Sequence, residues 1–206
     1  TERMELKMRY QIYVIAAAVT AAAITFLIMA PFSHENPMPD VNLRKEMLAD
    51  TTRFLQMNQL KSLEFEGMCL SDIFLRSDSG NVSLYSIVKH PTLVFRYFDI
   101  NCTDCIQKEA TLIKQHTIGV EDRVIFIASF LNYRSMRAYN LANEITQKAF
   151  QLNLDQQLGS EIDKNRLPYY FILYPNGKIS HFFMSAQESS QYIELYLKGI
   201  KHLLME

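Results

Sequence analysis

Two cysteines with two residues between them, Cys102-Thr103-Asp104-Cys105, carry the strongest chemical signal in the chain. Such a pair is either half of a zinc site or a reversible dithiol–disulfide couple. A zinc site needs two further ligands, and Cys69, His34, His90, His116, His181 and His202 show no second paired spacing. Delivery of another metal would need a histidine near the cysteines, and His181 is the candidate. The context of the pair favours redox chemistry. It follows an apolar, β-branched and aromatic run, Thr92 to Phe98, and opens a segment in which Ile106, Ala110 and Ile113 share one helical face. A thiol at a helix N-terminus faces unpaired backbone N–H groups and the positive end of the dipole, which favour the thiolate. Cys105, one turn further on, is placed to attack a mixed disulfide formed on Cys102. The expected catalytic residues are therefore Cys102 and Cys105, with no metal and no cofactor beyond their own disulfide.

The elements that must position this pair follow an α/β order. After the strand at Thr92 to Phe98 and the helix from Cys102 to Gln115, the pattern predicts a buried strand from Arg123 to Phe130. A helix is expected from Tyr133 to Gln147 and a short strand from Ala149 to Leu152. A strand from Tyr169 to Tyr174 then meets the turn Pro175-Asn176-Gly177 and pairs antiparallel with Lys178 to Met184, before a last helix from about Glu188 to Leu204. Upstream, the turn cluster from Ser77 to Asn81 and the alternation from Val82 to Ile87 suggest a hairpin. This order implies a mixed sheet covered by helices on both faces.

Ahead of that domain lie segments of different character. No charge occurs from Tyr10 to Phe32, a run of 23 residues. As a helix it spans about 35 Å at roughly 1.5 Å per residue, enough for a hydrocarbon core of about 30 Å. Arg3, Lys7 and Arg9 precede the run, while Glu35 and Asp40 follow it, which orients residues 1–9 to the cytoplasm and the rest to the far side. A cleaved signal peptide fits less well, because Ile28 and Pro31 flank Ala30 where small residues belong and the run exceeds a usual signal core. The expected organisation is a cytoplasmic tail at 1–9, a transmembrane anchor at 10–32, a linker and helix at 33–66, and the main domain at 67–206. The helix from Val41 to Leu63 packs on the domain or acts as a spacer; its pattern serves both. The net charge of −1 and the absence of a long basic tract speak against nucleic acid as a partner.

Three segments together, Leu93-Val-Phe-Arg-Tyr-Phe98, Cys102-Thr-Asp-Cys105 and Leu167-Pro-Tyr-Tyr-Phe-Ile-Leu-Tyr-Pro-Asn-Gly177, resemble the thioredoxin-like superfamily over residues 67–204. Within it, the chain resembles the membrane-anchored thiol–disulfide oxidoreductases with an N-terminal hairpin extension. The resemblance implies a thioredoxin-like mixed sheet flanked by helices, behind one N-terminal transmembrane helix. It also implies reduction of disulfides in exported proteins from a single-pass position in the cell inner membrane, with the domain in the periplasm. The implied partners are protein thiols and disulfides, plus a membrane or soluble thiol reductant. Leu167 and Pro168 match the family's substrate-docking position, where the proline usually follows a cis peptide bond.

The chain departs from the family pattern at three places. Thr103-Asp104 replaces the familiar intervening pairs, and Asp104 adds charge that works against a thiolate. Asn101 stands where many relatives have Trp. Arg96 occupies the place of a frequent buried acid; it either favours the thiolate or forms a structural ion pair with Asp99 or Glu109. The neighbouring peroxidase branch expects a Thr or Ser three residues before the reactive cysteine, where Asp99 precedes Cys102 and Cys102 precedes Cys105, which speaks against that branch. The lone Cys69, in an apolar stretch, reads as a small buried hydrophobe, with a resolving or partner-linking role as the alternative. These departures keep a second reading in view, a non-catalytic thioredoxin-like binding or redox-sensing module.

Overall fold

The structure, a computed structural model, describes residues 41–159, 162–185 and 190–205. The chain divides into two units, Thr1–Asp50 and Thr51–Glu206. The expected tail, anchor and linker at 1–9, 10–32 and 33–40 lie outside the described residues; among those described, no helix is long and apolar enough to cross a membrane.

The second unit is built on one seven-stranded sheet in the order β2-β1-β5-β4-β3-β6-β7. Its centre is β3 (Thr92–Phe98), β4 (Val124–Ser129) and β5 (Lys148–Leu152), all parallel. Next to β3, β6 (Tyr169–Leu173) runs antiparallel, and β7 (Ile179–Met184) runs antiparallel to β6. The hairpin of β1 (Phe74–Ser77) and β2 (Gly80–Ser83) adds to the free side of β5. Every residue of β3, β4 and β6 is buried, as their continuous apolar runs require of strands covered on both faces.

Side-chain alternation along β3 divides the core. Leu93, Phe95 and Tyr97 pack with Ile106, Ala110 and Ile113 of α3 (Thr103–His116), Met136 of α4 (Tyr133–Ala142), and Ile193 and Leu197 of α5 (Ser190–Ile200). Val94 and Phe98 face the other way, into a cluster with Phe65 of α1 (Val41–Phe65), Leu84 of α2 (Leu84–Ile87) and Leu158. From Thr51 onward α1 belongs to the compact unit, which therefore begins before the expected start at residue 67. It lies along the outer edge of β7. Asn58 is buried there and exchanges two hydrogen bonds with the backbone of Met184, donating to its carbonyl at 3.2 Å and accepting from its N–H at 2.6 Å. Phe54 packs edge-on against Phe183, and Phe65 packs at a tilt against Phe182.

Three expected elements end differently, each for a local reason. The alternation from Val82 breaks at Leu84 because the Ser83 hydroxyl accepts from Ser86 N–H and the Asp72 carboxylate from Tyr85 N–H, which caps a helical turn. The helix from Tyr133 stops at Ala142, not Gln147. Glu144 turns left-handed at φ 55, and Ile145 N–H reaches back to the Asn140 carbonyl while Glu144 N–H reaches Leu141, closing the helix in a Schellman arrangement. The last helix tightens into a 3-10 segment, Lys201–Met205.

Candidate active site

Cys102 is the N-cap of α3. It sits at the end of the sheet where β3 finishes, and its sulfur accepts the Cys105 N–H at 3.4 Å. Cys102 is exposed and Cys105 half-buried, and the two are joined as a disulfide. Thr103 and Asp104 fill the exposed first turn between them.

Asn101, directly before the pair, is a structural clamp. Its side-chain oxygen accepts the Phe98 N–H at 2.6 Å, and its amide nitrogen donates to the Arg166 carbonyl at 2.8 Å. That second bond ties the cysteine loop to Arg166-Leu167-Pro168. Leu167 is exposed and Pro168 buried, and both line a cavity of about 250 Å³ with Cys102 and Cys105. The structure thus brings together four of the six expected site residues, with Asp104 adjoining them on α3.

The cis bond expected before Pro168 is not present: the described residues contain no cis peptide bond. The trans form is the lower-energy isomer of an X–Pro bond. Here the reversal into β6 is made by Arg166, which is left-handed at φ 49 and ψ 33. The Pro168 carbonyl accepts the Ser185 N–H at 2.9 Å.

Arg96 is placed apart from the pair. It shares the β3 face of Val94 and Phe98, across the sheet from α3. Its partner is Asp163, in the 3-10 segment Asp163–Asn165, and not Asp99 or Glu109. The guanidinium spans both Asp163 carboxylate oxygens at 3.2 and 3.3 Å and also donates to Ser129 Oγ at 2.7 Å.

Cys69 is exposed, contrary to the buried hydrophobe expected: its segment bridges Lys178, with backbone bonds from Gly67 to Ile179, Ile179 to Met68 and Leu70 to Gly177, while the neighbouring Leu70 takes the buried position. His181 does not line the cysteine cavity; its Nδ1 lies 2.8 Å from Ser180 Oγ. Among the described residues, no three His, Cys, Asp or Glu side chains gather as a metal site.

The cavity also holds a group whose role the sequence did not reveal. Glu109, one turn beyond Cys105 on α3, is 4% exposed and lines the same cavity. Its carboxylate accepts from Tyr170 Oη and, at 2.6 Å, from Ser185 Oγ. Burial pushes its pKa up to about 7, although the two hydroxyl bonds pull the other way. The available signal was its place on the Ile106–Ile113 face of α3, an apolar stripe on which an acid is out of character.

The raised pKa has a consequence for stability. Between the ordinary value of 4.5 and about 7 the folded chain holds a proton that the unfolded chain has released. Stability therefore falls as pH rises through this window and levels off above it, by an amount on the order of 3 kcal/mol. Glu109→Gln is expected to remove that slope in urea unfolding measured from pH 5 to 8. Parallel slopes in the two proteins would place the raised pKa elsewhere.

Neither a family model nor a curated protein matches the chain. Solved structures do match. A thiol:disulfide interchange protein from Bacteroides sp. is 17% identical, with 67% of this chain and 90% of that one covered at a TM-score of 0.47. The thioredoxin domain of a thiol-disulfide oxidoreductase from Bacteroides vulgatus is 15% identical over 67% and 97% at 0.46. A secreted disulfide oxidoreductase from Mycobacterium tuberculosis is 12% identical over 62% and 96% at 0.43. Parallel β3, β4 and β5, the antiparallel β6–β7 hairpin beside β3, and a cysteine pair opening the helix after β3 give this chain a thioredoxin-like fold.

Proposed function

We propose that the chain is a membrane-tethered thiol–disulfide oxidoreductase that reduces disulfides of exported proteins. One observation carries the reading: an exposed Cys102 at a helix N-terminus is paired with a half-buried Cys105 beside the Leu167–Pro168 segment. The Cys102 thiolate attacks one sulfur of a substrate disulfide, forms a mixed disulfide, and releases the other sulfur as a thiolate. Cys105 gives up its proton and attacks the Cys102 sulfur, which frees the second substrate thiolate. The substrate leaves with two thiols and the chain keeps the Cys102–Cys105 disulfide, to be reduced by a membrane or soluble thiol donor. The Glu109 carboxylate, buried in the same cavity and titrating near neutrality, is the acceptor for the Cys105 proton. Leu167 and Pro168 present the backbone against which the substrate chain lies.

The proposed tether is residues 10–32; their uncharged run and flanking charges support an inner-membrane anchor with the compact unit on the periplasmic side. In this organisation the anchor is followed by a connecting segment and then by the compact unit, which begins at Thr51.

The test is the reduction potential of the full chain, equilibrated in defined thiol buffers and trapped by mass shift. A value near the roughly −270 mV of thioredoxin supports a reductase. A value near the roughly −120 mV of a strong oxidant would reverse the direction to disulfide donation. Absence of any reversible two-cysteine couple would remove the oxidoreductase reading and leave the binding module.

A further inference from the structure

Four sulfur-bearing side chains line the one cavity at the end of the sheet: Cys102, Cys105, Met57 and Met184. The two methionines come from separate elements, and their meeting is built in. Asn58, the residue after Met57, makes both of its hydrogen bonds to the backbone of Met184 and so fixes α1 against the end of β7. Met57 is 41% exposed at the rim, while Met184 is 8% exposed. The remaining wall is formed by Phe54, Leu167 and Pro168 with the polar Asn101, Glu109 and Ser185; both Glu109 oxygens are engaged by Tyr170 Oη and Ser185 Oγ, and no Lys or Arg lines the cavity.

Two thiols and two thioethers, with no histidine among the lining residues and the one carboxylate already engaged, form a soft donor set. Thiolate and thioether ligands select Cu(I), whereas Zn(II) takes imidazole, thiolate and carboxylate. We propose that, in the reduced state, this cavity binds one Cu(I) ion through Cys102 and Cys105, with Met57 and Met184 completing the site. The inference rests on the same reading of the cysteines as a reversible pair. Binding displaces two protons from the thiols and changes no oxidation state: Cu(I) and the dithiol give the Cu(I) dithiolate and two H⁺. The disulfide form, with both sulfurs engaged, has no thiolate to offer. Copper binding and disulfide reduction are then alternative uses of one dithiol, and a bound Cu(I) ion blocks thiol exchange.

The test uses the full chain, chemically reduced under anaerobic conditions and labelled with selenomethionine. One equivalent of Cu(I) is added, and X-ray absorption at the copper edge reads its nearest neighbours. Sulfur together with selenium in the first shell is expected, with the selenium lost in the double variant Met57→Leu, Met184→Leu. Competition with a chromophoric Cu(I) chelator should show that the double variant holds copper roughly tenfold or more weakly, the scale on which losing a supporting partner acts. Leucine conserves the volume of methionine, so the fold is retained. A sulfur-only shell, equal affinity in the double variant, or no retention of Cu(I) by the wild type would each overturn the proposal. Because the protein is reduced chemically, these outcomes are independent of turnover. The thiol-buffer potential separately decides whether the redox reading stands.

Discussion

Asp163→Ala is expected to be the most damaging single substitution in the compact unit, lowering stability by about 3–5 kcal/mol. Both members of the Arg96–Asp163 pair are almost wholly inaccessible, with side-chain exposures of 1% and 2%. The pair alone is weak evidence of net stabilisation, because the cost of burying two charges offsets much of their attraction. Removing one partner is different: it leaves a guanidinium in the core with no counter-charge. Asp163 also accepts from Tyr169 Oη at 2.7 Å and from Leu158 N–H at 2.9 Å, so its loss orphans two further buried donors. Against a total of about 5–15 kcal/mol for an ordinary domain, a loss of this size leaves little margin. The measurement is the urea midpoint at constant m-value. The double variant Arg96→Met, Asp163→Leu removes both charges and is expected to cost less than Asp163→Ala alone. If the double variant costs as much or more, the uncompensated charge is not the cause. The pair also joins the site to the core, since Asp163 begins the short turn whose last residue, Arg166, is held by Asn101.

How far the sequence foretold this arrangement depended on whether a feature was local or needed a partner. The strands β3, β4 and β6 and the helix opened by Cys102 were legible because continuous apolar runs and helical spacing are properties of a few adjacent residues. The stop at Ala142 was hidden because the left-handed position that closes the helix is occupied by Glu144, where glycine is the usual marker. Arg96 stands out in the sequence as a charge inside an apolar strand, yet its partner lies 67 positions away, in a short turn that carries no pattern of its own. The place of α1 was undecidable for the same reason. Its anchoring contact, Asn58 to Met184, spans 126 positions, and a single asparagine in a helix gives no hint of a distant strand edge. Glu109 stood in plain view in the helix, but only packing from Tyr170 and Ser185 turns an amphipathic glutamate into a buried acid.

Cys105→Ser is expected to abolish multiple turnover while leaving the first attack intact. Cys102 keeps its exposure and its position at the N-cap of α3, where the dipole and unpaired N–H groups favour the thiolate in either protein. The variant therefore still opens a substrate disulfide. It then stalls, because the serine hydroxyl cannot displace the substrate thiolate. In the native chain the Cys105 sulfur is held within one helical turn of Cys102, and well-oriented intramolecular groups reach effective concentrations of about 10⁵ M or more. External thiols at millimolar levels cannot replace that, so resolution slows by several orders of magnitude. The readout is a covalent adduct of chain and substrate that survives non-reducing denaturation and disappears on reduction. Cys102→Ser should give no such adduct, since Cys105 is half-buried against the cavity wall and its backbone N–H is directed at residue 102. Adducts accumulating on Cys105 in the Cys102→Ser protein, and none on Cys102 in the Cys105→Ser protein, would exchange the two roles and show that the cavity is approached from the Glu109 side.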